Sequence, residues 1–227
     1  MKITSIVLAA AMTVAAGAAN AASVSFAVNN GWSTSGHTFG DVSVIGATMT
    51  ENGRIRTNDE YVASWAGRNG GLGIVSGNAV TYGDEDRRRR GTYYDQHTID
   101  GQGANEMALL NFGSMNVEIR SVTFNYWDRN DDFDVGVFDS LARGTQASPF
   151  RDDLDWGHNG STRTFYFRPG TLVGSIFGFG ADGPSDEFKL AGISYREVAA
   201  VPLPAGAALL LTGLAGFGAM RRRKNEG

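Results

Sequence analysis

The chain of 227 residues contains no cysteine and only five prolines. Without cysteine it has neither disulfides nor a thiol nucleophile. It also lacks the His-Glu-x-x-His pattern of zinc proteases, the Gly-x-Ser-x-Gly turn of serine hydrolases and the Gly-x-x-x-x-Gly-Lys-[Ser/Thr] loop that binds phosphate. Its three histidines, at positions 37, 97 and 158, are isolated. We therefore predict that the protein is not an enzyme.

Long apolar runs occur at the two ends of the chain. The first follows a positive Lys2 and closes on Ala19-Asn20-Ala21, a small-x-small site. This is the organisation of a secretory signal peptide, and the run is shorter than the roughly 20 residues that a spanning helix needs. We expect residues 1–21 to form a signal helix that is cleaved after Ala21. The alternative is an uncleaved anchor.

The part between the two ends, residues 22–199, is long enough for one extracellular domain. A body of this size buries roughly 70% of the surface of its unfolded chain, so it needs no disulfides. The whole chain carries 24 acidic and 20 basic residues, and several basic ones lie in the C-terminal tail. The acidic body disfavours nucleic acid as a partner and suits divalent cations.

The body has the pattern of short strands separated by Gly, Asn and Asp. We predict strands at Ser23 to Val28, Val42 to Thr50, Tyr61 to Trp65, Leu72 to Val75, Ala79 to Tyr82, Glu106 to Phe112, Val117 to Trp127, Val135 to Phe138, Thr162 to Phe167, Leu172 to Phe179 and Glu187 to Glu197. The apolar phase changes near Arg120-Ser121, which predicts a β-bulge. The expected fold class is all-β, a two-sheet antiparallel β-sandwich resembling a jelly roll.

The C-terminal segment, residues 200–227, predicts a transmembrane helix. Ala205 to Met220 is sixteen residues without a charge, and the uncharged span that begins at Val198 covers about 34 Å as a helix. Arg221, Arg222, Arg223 and Lys224 follow at once, and positive charges beside a spanning segment stay cytoplasmic. The signal peptide and the tail therefore require the same topology, with the body outside.

The tail resembles the VPLPA-CTERM class of sorting signals, which is similar to the PEP-CTERM signals processed by exosortases. The resemblance lies in three parts: the sorting sequence Val201, Pro202, Leu203, Pro204 and Ala205, the apolar span, and the basic residues Arg221, Arg222 and Arg223. It implies an exosortase-type processing enzyme as a partner, cleavage near the sorting sequence and transfer to the outer surface or extracellular matrix. A permanent, uncut membrane anchor is the alternative.

The body also resembles exported domains that carry such tails, which are similar to carbohydrate-binding jelly rolls. The residues concerned are Gly71-Leu72-Gly73-Ile74, Ile99-Asp100-Gly101 and Asn105-Glu106, followed by Leu109 and Phe112. This resemblance supports the fold more than the function.

Two acidic segments are candidate metal sites. Asp100 and Glu106 can converge if the glycine-containing loop between them folds back, and Ca²⁺ prefers such oxygen ligands. Asp128, Asp132 and Asp134 lie in a segment that echoes an EF-hand loop, but Phe133 replaces its obligatory glycine, so an EF-hand is excluded. The alternatives are solvated turns. A third acidic cluster, at positions 152, 153 and 155, is interpreted as a polar turn.

Aromatic residues at predicted loop edges are candidates for stacking on sugar rings. Trp127 and Trp156 are the two tryptophans that we assign to glycan binding, with core packing as the alternative. The predicted function is a non-enzymatic surface or matrix protein that binds glycan or exopolysaccharide through loops stabilised by Ca²⁺. The alternatives are an exported polysaccharide hydrolase or lyase and a self-associating structural subunit.

Overall fold

A computed structural model describes residues 21–29, 31–33, 35–76, 80–82, 91–93, 98–155, 157 and 160–198. Residues 1–20 of the predicted signal helix, the sorting sequence and the C-terminal helix lie outside these residues, while Ala21, the last residue of the predicted signal segment, lies in a strand and pairs with Arg196. Every regular element in the described ranges is a β-strand, as expected for an all-β chain. Within them, no helix is long and apolar enough to cross a bilayer.

The strands are numbered in chain order. They are β1 (Ala21–Ser25), β2 (Gly31–Ser33), β3 (His37–Phe39), β4 (Val42–Met49), β5 (Ile55–Trp65), β6 (Gly71–Val75), β7 (Val80–Tyr82), β8 (Gly91–Tyr93), β9 (Ile99–Asp100), β10 (Glu106–Asn111), β11 (Val117–Asn125), β12 (Phe133–Phe138), β13 (Phe150–Leu154), β14 (Thr162–Tyr166), β15 (Val173–Gly174), β16 (Ile176–Gly180) and β17 (Glu187–Glu197). All pairings are antiparallel, and β7 and β8 form a hairpin apart from the main sheet.

The main sheet is curled, and β5 lies at the bend. Its order is β13-β12-β16-β10-β4-β5-β6-β17-β11-β14. The first part of β5 pairs with β4, from Ile55 to Glu60, and the last part pairs with β6, from Tyr61 to Trp65. We call the strands from β13 to β4 the first limb and those from β6 to β14 the second limb.

The two limbs share one hydrophobic core. Phe133 on the first limb lies 4.7 Å, between ring centroids, from Phe124 on the second. Phe112 contacts Phe177 of the first limb and Tyr195 of the second, at 5.8 and 4.9 Å. Because both limbs contribute buried side chains to the same cluster, the curl of the sheet encloses the core.

The first limb is also covered on its outer face. A second apolar cluster forms there, and it includes Ala147 from the segment that connects β12 to β13. Close approach on this face requires small residues, since a Cβ added at Gly136 would lie 2.5 Å from the Cβ of Ala147. All six residues of β12 are buried as a result, including those that alternate away from the main core.

The sequence pattern predicted much of this arrangement. The predicted bulge is confirmed, because the pairing of β11 with β17 shifts register between Ile119 and Ser121. The structure divides the predicted strand at Leu172 to Phe179 into β15 and β16, and it extends β5 back to Ile55. Strands β2, β3, β8, β9 and β13 were not predicted.

Phe133→Ala tests the core that joins the limbs. Phe133 is fully buried and lies within 6.4 Å, between ring centroids, of five other aromatic rings. We expect the free energy of unfolding in urea to fall by about 3–5 kcal/mol, since truncation leaves a cavity. The control is Tyr166→Ala, at a side chain that is 76% exposed. Equal stability losses in the two variants would contradict the assignment.

Candidate metal centre and adjoining pocket

A β-bulge brings two acidic residues opposite a third. In the pairing of β12 with β13, Phe133 lies opposite Leu154 and Val135 lies opposite Arg151. One residue of β12, Asp134, therefore faces two of β13, Asp152 and Asp153. Consecutive residues of a regular strand point to opposite faces, whereas a bulge changes their direction. Asp153 also has a φ of 52°, in the left-handed region that aspartate tolerates better than most residues.

The fourth carboxylate comes from the loop after β16. Gly180, the last residue of β16, pairs with Asp134, and Asp182 follows two residues later. One carboxylate oxygen from each of Asp134, Asp152, Asp153 and Asp182 lies within 4.8 Å of the others. We call these four residues the carboxylate cluster. They come from three separate segments, and together they could hold a metal ion.

Asp134 is the buried member of the carboxylate cluster, with 1% of its surface exposed. Its Oδ1 accepts a hydrogen bond from the backbone N–H of Asp153, at 3.2 Å. Its Oδ2 is buried and accepts no hydrogen bond from any described residue. Leaving a buried carboxylate oxygen without a partner is costly, so this atom requires a proton or a cation.

The pKa shifts within the cluster indicate the same need for a proton or a cation. Burial raises the pKa of Asp134 to about 9, followed by the charge of Asp182 and by Asp152, which acts through a hydrogen bond to protonated Asp134 and through its charge. Burial, then Asp152 and Asp153, raises the pKa of Asp182. The charges that produce these shifts are negative, so each ionised neighbour makes the next ionisation harder. A bound cation would reverse this effect.

Three further aspartates lie beside the cluster. Burial and the charge of Asp153 raise the pKa of Asp132 to about 6. Burial and the charge of Asp132 raise the pKa of Asp186 to about 7. Asp186 accepts the Gly183 N–H at 2.9 Å, and Asp131 accepts the Glu187 N–H at 3.0 Å. Asp131 and Asp186 therefore fix loops through backbone donors.

The structure does bring the predicted pair Asp100 and Glu106 together, and both are buried. The Oε2 of Glu106 accepts the backbone N–H of Asp100 at 3.2 Å, and its Oε1 accepts that of Ser76 at 2.8 Å. The Oδ1 of Asp100 accepts the N–H of Gln102 at 2.9 Å. Backbone donors therefore engage three of the four carboxylate oxygens, an arrangement that shapes the loop.

The predicted residues Asp128, Asp132 and Asp134 are separated. Asp134 belongs to the carboxylate cluster, while Asp132 lies next to it and donates its N–H to Asp186 Oδ1 at 3.4 Å. The Oδ1 of Asp128 accepts the N–H of Asn130 at 2.7 Å, which closes a local turn. The sequence alone therefore identified one of the four clustered residues.

Asp152, Asp153 and Asp182 were not predicted as metal ligands. Asp152 and Asp153 lie in β13, which carries no alternating apolar pattern, and the segment was interpreted as a polar turn. The alternating carboxylates of residues 132 and 134 were a signal for one member of the cluster, Asp134. No spacing rule connects them to Asp182, which approaches through the pairing of β16 with β12.

A pocket of about 330 Å³ lies at the end of β11. Its wall includes the predicted glycan residue Trp127, but this side chain is only 3% exposed and stacks on Phe124 at 5.1 Å. Trp127 therefore serves mainly as core, and the exposed ring at the pocket is that of Tyr126, 44% exposed. The other predicted glycan residue, Trp156, lies outside the described residues.

The cluster predicts an unusual dependence of stability on pH. In the folded protein Asp134 keeps its proton up to about pH 9, whereas in the unfolded chain it ionises near pH 4. The folded state therefore binds more protons between these values, and the free energy of unfolding falls as pH rises. With a chelator present, we expect the melting temperature of the full chain to decrease from pH 5 to pH 8. A steady increase over this range would contradict the assignment. Asp134→Asn should make the decrease shallower, and Asp132 and Asp186, whose pKa values are also raised, account for the slope that remains.

Comparison with known proteins found no match to the chain among protein-family models, curated proteins or solved structures. Its function is therefore inferred from its own residues, above all from the carboxylate cluster and the pocket beside Tyr126.

Proposed function

We propose that this is an exported surface or matrix protein whose β-domain binds glycan and whose loops are stabilised by Ca²⁺. The observation that carries the proposal is the position of Asp134 Oδ2, a buried oxygen without a hydrogen-bond donor among the described residues, inside a group of four carboxylates. A cation at this position would satisfy that oxygen and neutralise the group.

The donor set favours Ca²⁺ over other common ions. All four side chains offer oxygen, which hard cations prefer, and none offers sulfur or nitrogen. With Ca²⁺–oxygen distances of 2.3–2.6 Å, two oxygens on one ion lie at most about 5 Å apart, which accommodates the observed spread of 4.8 Å. Mg²⁺–oxygen distances are 2.0–2.1 Å, so two oxygens on one Mg²⁺ lie at most about 4.2 Å apart.

A cation in the cluster would join three parts of the first limb. It would connect β12, through Asp134, with the edge strand β13 and with the loop after β16. The side chains of Asp152 and Asp153 are exposed, so the ion would keep part of its hydration. We therefore expect a dissociation constant on the order of 10⁻⁴–10⁻³ M, the range of extracellular calcium modules.

Export and sorting are the second part of the proposal. They rest on the signal pattern of residues 1–21 and on the resemblance of the tail, residues 200–227, to VPLPA-CTERM signals. The last strand, β17, ends at Glu197, four residues before Val201. In this proposal the sorting sequence that follows, with Pro202 and Pro204, is the segment that the processing enzyme recognises. In this proposal the two limbs of the curled sheet correspond to the two sheets of a jelly roll.

Calcium titration of the full chain tests the metal site. At a hundredfold excess over the dissociation constant, Ca²⁺ stabilises by about 2.7 kcal/mol, which raises the melting temperature by roughly 5–10 °C in a domain of this size. Asp134→Asn should lose most of this rise. In chelator at pH 8 the same variant should melt no lower than the wild type, because Asp134 must take up a proton when the chain folds at this pH and an amide need not.

Asp59→Asn is the matched control, since Asp59 is an exposed aspartate on β5 outside the cluster. It should keep the full response to Ca²⁺. Absence of both heat and a melting shift in the wild type would refute the metal site, as would an equal loss in the two variants. A stronger response to Mg²⁺ than to Ca²⁺ would contradict the choice of ion.

Intact-mass measurement tests export and sorting together. Protein recovered from the cell surface should lack residues 1–21 and the chain beyond the sorting sequence. A mature protein that keeps its tail would support the permanent-anchor alternative. Recovery of the whole chain from the cytosol, with both ends intact, would contradict export.

A further inference from the structure

The pocket beside Tyr126 is built at one end of four neighbouring strands, β6, β17, β11 and β14. Asn125, the last residue of β11, holds these ends together. Its Nδ2 donates to the Gly70 carbonyl at 2.6 Å, and its Oδ1 accepts from the Thr162 hydroxyl at 2.8 Å. The turn before β6 and the start of β14 are therefore fixed against β11, with Tyr126 directly after it.

Tyr126 has an unfavourable backbone conformation, with a φ of 62°. A bulky side chain rarely adopts this region, which suits glycine and asparagine. The conformation places the ring at the mouth of the pocket, 44% exposed. A strained backbone conformation that exposes an aromatic ring does not contribute to core packing. Residues with such unusual φ values cluster at binding sites.

The wall of the pocket offers hydrogen-bonding groups around this ring. Asn69 contributes an amide, Ser161 and Ser185 contribute hydroxyls, and Asp128 and Glu187 contribute carboxylates. The Glu187 charge is the largest cause of a raised pKa at Tyr126, followed by burial and the charge of Asp128, so both carboxylates act on the phenol. An apolar ring beside a few convergent polar groups is typical of a small-molecule site.

The aromatic surface continues beyond the pocket. The Lys189 ammonium lies 5.1 Å from the ring centroid of Trp65 and 5.6 Å from that of Tyr126. Trp65 in turn contacts Trp32, at 5.6 Å between ring centroids, and Trp32 is 48% exposed. Tyr126, Trp65 and Trp32 therefore form a row that could contact several units of a chain-like ligand.

We infer that Tyr126 and the pocket wall bind one ring of an uncharged polysaccharide, whose neighbouring units lie along Trp65 and Trp32. The sugar ring stacks on the aromatic face. The carboxylates accept hydrogen bonds from its hydroxyl groups, and the amide and the serine hydroxyls both donate and accept. Asp128 and Glu187 outnumber the one ammonium at this ring, that of Lys189, so the site disfavours uronates and sulfated sugars by net repulsion. This inference rests on the glycan-binding part of the proposed function and assigns it a place and a class of ligand.

The test is calorimetric binding of the full chain, with Ca²⁺ present and in a detergent without a sugar headgroup. The probes are gluco-, galacto- and manno-oligosaccharides, each paired with its uronate and amino-sugar counterparts. We expect at least one neutral chain to bind and its uronate counterpart to bind at least about tenfold more weakly. Tyr126→Gly should weaken binding about tenfold or more without lowering the melting temperature, since glycine relieves the strained φ.

Tyr166→Ala is the control, because Tyr166 is an exposed tyrosine that pairs with Ser121, well away from the pocket along β11. It should bind normally, and Tyr126→Phe should keep most of the affinity. Unchanged binding by Tyr126→Gly would overturn the site but leave glycan binding standing. Absence of binding to every probe would overturn both. Tighter binding of uronates or amino sugars would overturn the assignment of an uncharged polysaccharide as the ligand. Cleavage of the probe into shorter oligosaccharides would overturn the non-enzymatic proposal in favour of the hydrolase alternative.

Discussion

A carboxylate on a strand that is buried on both faces must be neutralised, and the acidic end of this sheet depends on how Asp134 meets that requirement. Phe133, its neighbour on β12, points into the core between the limbs and fixes the strand. The alternation of the strand then directs Asp134 to the opposite face, where it is only 1% exposed. The bulge in β13 adds two carboxylates there. The buried Asp134 carboxylate therefore needs a proton or a cation to neutralise it.

Hydrogen bonds connect the segments around the carboxylate cluster with those around the pocket beside Tyr126, so the two sites of the proposed function are structurally linked. Asp131 accepts the N–H of Glu187, and Asp186 accepts that of Asp132, so the loop after β11 is joined to the loop before β17. The first of these loops contributes Asp128 to the pocket, and the second contributes Ser185, next to Glu187 at the start of β17. A cation bound at the carboxylate cluster would therefore also restrain the wall of the pocket beside Tyr126.

The sequence predicts this fold better than it predicts the site. Strands with alternating apolar residues, such as β4 and β17, were found within a residue of their bounds, and the bulge near Ser121 was visible as a change of phase. β13 was missed because its acidic residues serve the cluster and not the core. Trp127 was assigned to sugar binding because sequence shows that a ring is present but not which way it points. The clustering of Asp134 with Asp182 depends on strand order, which no local pattern encodes.

The most direct measurement is the titration of the Asp134 carboxyl carbon by NMR, with and without Ca²⁺. In chelator at pH 7 the account predicts a protonated Asp134, with a pKa far above that of an ordinary aspartate, because burial and the neighbouring carboxylates disfavour its charge. Saturating Ca²⁺ should ionise the same group at the same pH. An Asp134 that is already ionised in chelator, or that stays protonated in saturating Ca²⁺, would contradict the account.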